Sequence, residues 1–216
     1  MQQIDFVIFD MDGLLFDTER IGFRAMEKSM VQIGMPFTLD TYKLLIGAGK
    51  NEDERIMQEV YGPEFSMKRI VEHSRTERNR IIESEGIRVM PGVQELLDKL
   101  DEKGLKRCIA SSSSIDTIAY YLELTDLKER FDFYISGDEV PRGKPEPDIF
   151  LEACRRGKAD PASSLVLEDS LNGLRAAKRA GIKCVLIPDL VDPNEEMKTN
   201  AFQMHHSLLD LVEQLG

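Results

Sequence analysis

The sequence predicts an α/β protein with a doubly wound parallel sheet and an inserted all-helical segment. Short apolar segments alternate with helical ones from about Val89 onward, and residues 4–9 are apolar almost throughout, as in a parallel strand covered on both faces. Residues 18–85 break this rhythm, because they carry helical patterns and no convincing strand pattern. We therefore expect a core domain of residues 1–17 and 86–216 and an inserted helical domain of residues 18–85.

The first predicted strand ends in two acids, Asp10 and Asp12, followed by Gly13. Because strand side chains alternate, both carboxylates point roughly the same way at the carboxyl end of the strand, where open α/β sheets bind ligands. One aspartate could attack phosphorus while the other moves protons, and a Mg²⁺ ion would be needed to neutralise the paired acids. This motif alone leaves a simple acidic turn open. It excludes an EF-hand loop, since Leu15 and Ile21 occupy the positions of its glycine and glutamate.

Three later segments place complementary polar groups near the ends of predicted strands or helices. Ser111 opens a serine run before a helix that begins near Ile115, and hydroxyls with free amides there suit an anion. Lys144 lies between a glycine and a proline, which stiffens its loop. Glu168 and Asp169 end another apolar strand. A helix cap or a solvated lysine explains each segment singly, but together they predict a site for a phosphoryl group.

The other core elements follow the same alternation. Further strands are predicted at residues 106–111, 133–136, 165–168 and 184–187. Amphipathic helices between them are predicted at residues 92–103, 115–124, 148–156 and 170–180. Gly104 and Gly181 close the first and the last of these helices. A short edge strand within residues 201–206 and a helix from Leu208 end the chain, and His205 and His206 are expected at the surface.

Apolar residues of the inserted segment recur at helical spacing. The predicted helices are one through Ile21 and Met30, one at residues 39–46, one starting near Asn51, and a long polar one at residues 66–85. Its methionines and aromatic residues are most simply its own core.

Composition excludes several classes of protein. With 216 residues, 42% hydrophobic and 31% charged, the chain can bury one ordinary core and a small insertion. Neither a membrane span nor a signal peptide is indicated, so a cytoplasmic location is expected. The chain is also expected to be a monomer. A net charge of −11 disfavours nucleic acid as a partner and leaves a small phosphorylated metabolite as the expected one. The three cysteines lack C-x-x-C spacing and are expected to be reduced and buried.

The four motifs, in this order, resemble those of the haloacid dehalogenase-like (HAD) superfamily, in the branch that contains β-phosphoglucomutase and many small phosphatases. Residues 9–19 match F-D-x-D-G-x-L-x-D-[ST]-E almost completely, Lys144 lies in G-K-P-x-P-D-x-F, and residues 168–173 match E-D-S-x-x-G. The resemblance covers essentially the whole chain. It implies a Rossmann-like core and an inserted α-helical cap that closes over the site and selects the substrate.

The resemblance also implies roles for the acids. Asp10 matches the catalytic nucleophile and a Mg²⁺ ligand. Asp12 matches the general acid/base, whose backbone carbonyl also meets the metal. Glu168 and Asp169 match the acids that complete the Mg²⁺ site.

Three further residues are implied to hold the transferring phosphoryl group. Ser111 and Lys144 match the family's phosphate-holding catalytic residues, and the Ser112 amide is expected to assist them. These roles agree with the chemistry, since charge on the transferring oxygens must be met by cations and aimed donors.

The inserted segment departs from the mutase pattern at two positions. The stretch from Gly47 to Lys50 resembles the family's substrate-specificity loop, so both residues are expected to bind substrate. The mutase has an arginine where this chain has Lys50, and lysine holds a second phosphate only as a point charge. The mutase also has a histidine, which guards the phospho-aspartate from water, where this chain has Gly22.

These residues favour a Mg²⁺-dependent phosphatase that hydrolyses a sugar phosphate or a nucleoside monophosphate through an aspartyl-phosphate. A β-phosphoglucomutase-like phosphosugar mutase is the alternative. A non-catalytic binding module conflicts with the intact set of motif residues, and a dehalogenase would not need the full acid cluster.

Overall fold

The chain divides into two compact units. The computed structural model describes residues 4–46 and 50–215, with the backbone alone for Lys50, Asn51 and Leu215. The sheet unit comprises Met1–Phe16 and Val89–Gly216, and the helical unit comprises Asp17–Arg88. These boundaries lie one residue before and three residues after the expected ones.

Backbone pairing explains where the boundaries lie. In the sheet unit, Phe16 and Val89 form an antiparallel bridge. In the helical unit, the Asp17 N–H donates to the Arg88 carbonyl at 2.9 Å. The two connecting segments, around residues 16–17 and 88–89, therefore pair through their backbones. This pairing places the second boundary after residue 88, where the sequence pattern alone predicts it after residue 85.

The sheet unit is built on one six-stranded sheet in the order β3-β2-β1-β4-β5-β6. All neighbouring strands are parallel. The strands are β1 (Phe6–Phe9), β2 (Lys106–Ser111), β3 (Phe133–Ser136), β4 (Ser164–Glu168), β5 (Lys183–Leu186) and β6 (Gln203–Met204). The predicted doubly wound parallel sheet is confirmed. In this order the chain winds outward from β1 on one side and then from β4 on the other, so a crevice forms between the carboxyl ends of β1 and β4.

Helices cover both faces of this sheet, as its apolar strands require. They are α5 (Val93–Glu102), α6 (Ile115–Leu124), α7 (Asp148–Gly157), α8 (Leu171–Ala180), α9 (Glu195–Asn200) and α10 (Leu208–Leu215). Phe6 and Ile8 pack with Phe150 of α7 and Leu174 of α8 in one buried cluster. Because strand side chains alternate, the buried Val7 and its neighbours on the other face pack away from that cluster.

The helical unit contains α1 (Thr18–Gln32), α2 (Leu39–Lys43), α3 (Lys50–Tyr61) and α4 (Val71–Glu85). Its methionine and aromatic residues form its own core, with Met30, Met57 and Ile70 almost wholly buried. The helix expected at residues 66–85 is interrupted. A single 3-10 turn at Met67–Arg69 precedes α4. Ile70, whose side chain is buried in the core, lies between the two as the N-cap residue of α4.

The three cysteines are free and buried, as predicted. Burial raises the pKa of the Cys108 and Cys184 thiols well above the ordinary value, so neither is a reactive thiolate. Within the part of the chain that the structure describes, no helix combines the length and the hydropathy needed to cross a membrane.

Candidate active site

The motif residues meet at the carboxyl end of the sheet, around the crevice between β1 and β4. Asp10 follows β1 directly, and Ser111 and Glu168 are the last residues of β2 and β4. Gly13 makes the sharp exit after β1 with a φ of +81°, a conformation that favours glycine. The parallel register thus brings side chains from distant parts of the sequence into one site.

A buried lysine links two of the acids. Lys144 Nζ donates to Asp10 Oδ1, to Glu168 Oε1 at 2.7 Å and to the Ala110 carbonyl at 3.1 Å. The Lys144 side chain is only 6% exposed, and its ammonium lies 4.9 Å from the centroid of the Phe150 ring. A charged lysine is therefore held at a fixed point beside the two carboxylates.

The electrostatics of this group favour a charged lysine and a readily protonated aspartate. Burial raises the pKa of Asp10 to about 7 against the lowering effect of Lys144, and the Glu168 and Asp12 carboxylates add to the rise. Burial alone would lower the pKa of Lys144, but the Asp10 and Glu168 carboxylates outweigh it and raise that pKa. The acids outweigh the lysine in charge, so the site as a whole is negative.

Three carboxylates have the arrangement of a cation site. Ligand oxygens of Asp10, Glu168 and Asp169 all lie within 4.8 Å of one another. Hard oxygen donors of this kind suit Mg²⁺. The Asp12 side chain is not in this group, because its carboxylate faces the serines that follow β2. A contribution of Asp12 to metal binding would therefore have to come from its backbone carbonyl.

Glu168 is almost wholly buried and is held by several hydrogen bonds. Its side chain is 1% exposed, and its Oε2 accepts from the Asp169 and Ser170 amides and from Ser170 Oγ at 2.9–3.0 Å. Gly173 makes this possible, because a Cβ there would overlap the Glu168 carboxylate. The E-D-S-x-x-G motif is thus one structural unit in which the two residues that lead into α8 hold the glutamate.

The serine run after β2 supplies hydroxyls beside Asp12. Ser111 is 1% exposed, and its Oγ donates weakly to Asp12 Oδ2 at 3.4 Å and accepts from the Ser113 N–H at 3.0 Å. Ser112 is exposed. Ser113 Oγ donates to the same oxygen, Asp12 Oδ2, at 2.7 Å, which is much closer than Ser111 Oγ.

Sequence reasoning missed Ser113 and Ser170. The signal for Ser113 was its position two residues after Ser111, the same spacing that pairs Asp10 with Asp12. From the sequence, Ser170 is expected only as a helix cap. It does cap α8, since its Oγ accepts from the Gly173 N–H at 3.0 Å, and the same hydroxyl also donates to Glu168.

The two residues expected to bind substrate lie at the edge of the part of the chain that the structure describes. Gly47 lies outside the described residues, and Lys50 is described only as the first backbone position of α3. Gly22, where the resembling mutase has a histidine, is described. A Cβ at Gly22 would overlap the Tyr42 hydroxyl, which donates to Glu19 at 2.9 Å. A tyrosine therefore fills the space beside this glycine within the helical unit.

Comparison with known proteins identifies the family. A family model described as haloacid dehalogenase-like hydrolase matches residues 7–187, most of the chain. The chain belongs to the haloacid dehalogenase-like hydrolase family. The resemblance drawn from the four motifs is thereby confirmed, and the parallel sheet with flanking helices is the α/β fold of this family.

Several relatives carry names of enzymes. The chain is 35% identical to a phosphorylated carbohydrates phosphatase of Thermotoga maritima over 82% of each sequence. It is also 35% identical to (DL)-glycerol-3-phosphatase 2 of Arabidopsis thaliana, over 86% of this chain and 80% of the relative. The crystal structure of CbbY from Rhodobacter sphaeroides in complex with phosphate superposes with a TM-score of 0.80 at 26% identity, covering 97% of this chain and 96% of that one.

Proposed function

We propose that this HAD protein is a Mg²⁺-dependent phosphatase that hydrolyses a small phosphorylated metabolite through an aspartyl-phosphate on Asp10. The observation that carries the proposal is the meeting of Asp10, Lys144 and Glu168 at the end of β1, next to a second carboxylate, Asp12, held by hydroxyls. The phosphatase names of two relatives at 35% identity support the same reaction class.

The residues present fit a magnesium ion. Asp10, Glu168 and Asp169 would hold it through carboxylate oxygens, and the backbone carbonyl of Asp12 would add to them. When bound, Mg²⁺ would neutralise part of the negative charge of the site and of the phosphate.

The first half of the reaction is carried by two aspartates. Asp10 attacks phosphorus, the bond from phosphorus to the leaving oxygen breaks, and Asp12 donates a proton to that oxygen. Asp12 is suited to this role because its carboxylate lies apart from the acid group and contacts hydroxyls. The products of this half are the free alcohol and a phosphorylated Asp10.

The second half restores the enzyme. Asp12, now ionised, takes a proton from a water molecule that attacks the phosphorus atom of phospho-Asp10. The bond from phosphorus to the aspartate oxygen breaks, and inorganic phosphate leaves. Lys144 and Ser111, with the Ser112 amide, would hold the equatorial oxygens in both halves, as donors aimed at developing charge.

A panel assay tests the proposal. Inorganic phosphate would be measured with and without Mg²⁺ from sugar phosphates, nucleoside monophosphates and glycerol 3-phosphate, while conversion of β-glucose 1-phosphate into glucose 6-phosphate is followed in parallel. We expect Mg²⁺-dependent phosphate release from a few chemically related esters. Isomerisation with little free phosphate would instead establish the mutase, and no reaction at all would overturn both.

Magnesium binding should depend on pH through Asp10. Its pKa is raised to about 7 by burial in the metal-free protein, and a carboxylate must be ionised to bind the ion. The apparent Mg²⁺ affinity should therefore fall about tenfold for each pH unit below about 7 and level off above it, as for a one-proton linkage. Isothermal titration calorimetry at several pH values measures this. An affinity that is flat from pH 5.5 to 8 would contradict it.

The helical unit would act as the cap that selects the leaving group. It contains a cavity of about 270 Å³ whose lining includes apolar side chains such as Met26 and Ile70 as well as Tyr42, Ser74 and Arg75. Such a lining suits a leaving group with an apolar face and a polar or anionic substituent. Lys50 and the loop that begins at Gly47 are further candidates for substrate contact.

Replacing Arg75 with glutamine should weaken binding of the metabolite more than binding of a small ester. Loss of a charge-assisted contact should raise KM about tenfold for the best metabolite in the panel, with little change for phenyl phosphate. Arg55→Gln is the matched control, since Arg55 is an exposed arginine of the same unit paired with Glu52 and Glu59. Equal effects of Arg75→Gln on both substrates would show that the cavity does not bind the leaving group.

A further inference from the structure

Ser113 lies at the junction between the catalytic aspartate and the loop that follows β3. Its Oγ donates to Asp12 Oδ2 at 2.7 Å, while its backbone carbonyl accepts from Ser136 Oγ at 2.8 Å. Ser136 is the last residue of β3 and is completely buried. The backbone of Ser113 is thus held by the end of β3, while its side chain donates a hydrogen bond to the proposed general acid, Asp12.

Ser136 is itself held in place. Its N–H donates to Glu139 Oε2 at 2.9 Å and its Oγ accepts from the Asp138 N–H at 3.1 Å, which together form a capping box. Arg156 Nη2 in turn donates to Glu139 Oε1 at 2.9 Å. Contacts therefore run from α7 through the end of β3 to Ser113 and on to Asp12.

The loops after β2 and β3 also lie in close contact through their backbones. A Cβ at Gly137 would come within 3.1 Å of Ser112 Cα and 3.2 Å of its carbonyl oxygen. That is tighter than an ordinary van der Waals contact, so a side chain at position 137 would push the serine run away. The glycine allows the β3 loop to support the turn that carries Ser113.

We propose that Ser113 is a positioning residue for the reaction: its hydroxyl holds the Asp12 carboxylate in the direction needed for proton transfer, and Ser136 holds Ser113. The assignment rests on the proposed phosphatase function. The proposed role of Ser113 is to orient the Asp12 carboxylate, because a general acid must lie within hydrogen-bond reach of the oxygen that it protonates.

The leaving group distinguishes this role from a role in phosphate binding. An alkoxide leaves only with a proton, whereas 4-nitrophenolate leaves without one. A residue that orients the acid should therefore matter for alkyl esters and little for 4-nitrophenyl phosphate. A residue that binds the phosphate or supports the fold should affect both esters equally. The ratio kcat/KM is the relevant quantity, since it reports the steps up to departure of the leaving group.

The experiment compares kcat/KM of wild type, Ser113→Ala, Ser113→Thr and Ser136→Ala for 4-nitrophenyl phosphate and for the alkyl phosphate of the panel that wild type hydrolyses fastest. For Ser113→Ala we expect a loss of about 10- to 100-fold with the alkyl ester and less than about threefold with the aryl ester. Ser113→Thr keeps a hydroxyl and should stay within about threefold of wild type for both. Ser136→Ala should show the alkyl-selective loss to a smaller degree.

Ser114→Ala is the matched control from the same serine run. Ser114 Oγ accepts from the Thr117 N–H and caps α6, so its loss should leave both kcat/KM values unchanged. Equal losses with the two esters in Ser113→Ala, or no loss with either, would overturn the assignment while leaving the phosphatase intact. Failure of wild type to release phosphate from any ester would overturn the proposed function itself.

Discussion

Asp10→Asn is expected to remove turnover while leaving the fold intact. The amide is a poor nucleophile, so no phosphorylated intermediate forms, and we expect kcat to fall by at least about ten-thousand-fold, as for other essential nucleophiles. The measurement is phosphate release from the best ester of the panel, with circular dichroism as the check on folding. Asp10→Ala should be tested beside it, because an alanine cannot revert to aspartate by deamidation.

The stability of Asp10→Asn should also change with pH in a defined direction. Burial raises the pKa of Asp10 in the folded protein to about 7, above its ordinary value of 3.8. A raised folded pKa means that the group's contribution to stability is present below the unfolded pKa and is lost as pH rises through about 7. The neutral asparagine avoids that loss, so the metal-free variant should gain stability relative to wild type from about pH 4 to 7.

Asp5→Asn is the matched control for both measurements. Asp5 is exposed and precedes the same strand, so turnover and the pH dependence of stability should match those of wild type. Turnover close to the wild-type rate in Asp10→Asn would contradict the mechanism. A constant stability difference between Asp10→Asn and wild type across this pH range would contradict the electrostatic description of the site.

Lys144→Met is expected to damage both stability and catalysis. The methionine keeps much of the volume of the side chain but leaves the buried Asp10 and Glu168 carboxylates without their shared partner. Loss of one partner of a buried ion pair costs about 3–5 kcal/mol in the free energy of unfolding. Loss of a donor aimed at the transferring phosphoryl group should lower kcat/KM by a further factor of about a thousand.

Urea unfolding of metal-free Lys144→Met at two pH values measures how much of its loss of stability comes from the unpaired carboxylates. The destabilisation should be smaller at pH 5 than at pH 8, because protonation of Asp10 relieves the unpaired charge. Lys106→Met is the control, since Lys106 is exposed at the start of β2. Equal free energies of unfolding for Lys144→Met and wild type at pH 8 would show that the ion-pair cluster does not stabilise the fold.

The sheet could be predicted from the sequence because its strands are short, apolar and separated by amphipathic helices. Reactive polar residues follow or end these strands, and the carboxyl ends of parallel strands meet at one edge of the sheet. Asp10, Ser111 and Glu168 could therefore be placed together without knowing any distance. The order of the strands then brings β1 beside β4. No local pattern encodes that order, which depends on which strands pair across long stretches of chain.

Other features could not be predicted because they depend on side-chain direction or on tertiary packing. Nothing in four consecutive serines shows that Ser113 faces Asp12 while Ser112 is exposed. The polar pattern of residues 66–85 continues through Ile70, whereas in the structure α4 begins only after this residue, whose side chain is buried in the core of the helical unit.

The most direct test of the mechanism is capture of the phosphorylated enzyme. Asp12→Asn, which slows attack by water, would be mixed with 4-nitrophenyl phosphate labelled on phosphorus, quenched in acid after one turnover, digested and mapped. We predict label on the peptide that contains Asp10, stable in acid and released by hydroxylamine as expected of an acyl phosphate, and no label when Asp10 is also replaced by asparagine. Label on another residue, or release of 4-nitrophenol in one turnover without any labelled peptide, would contradict the aspartyl-phosphate mechanism.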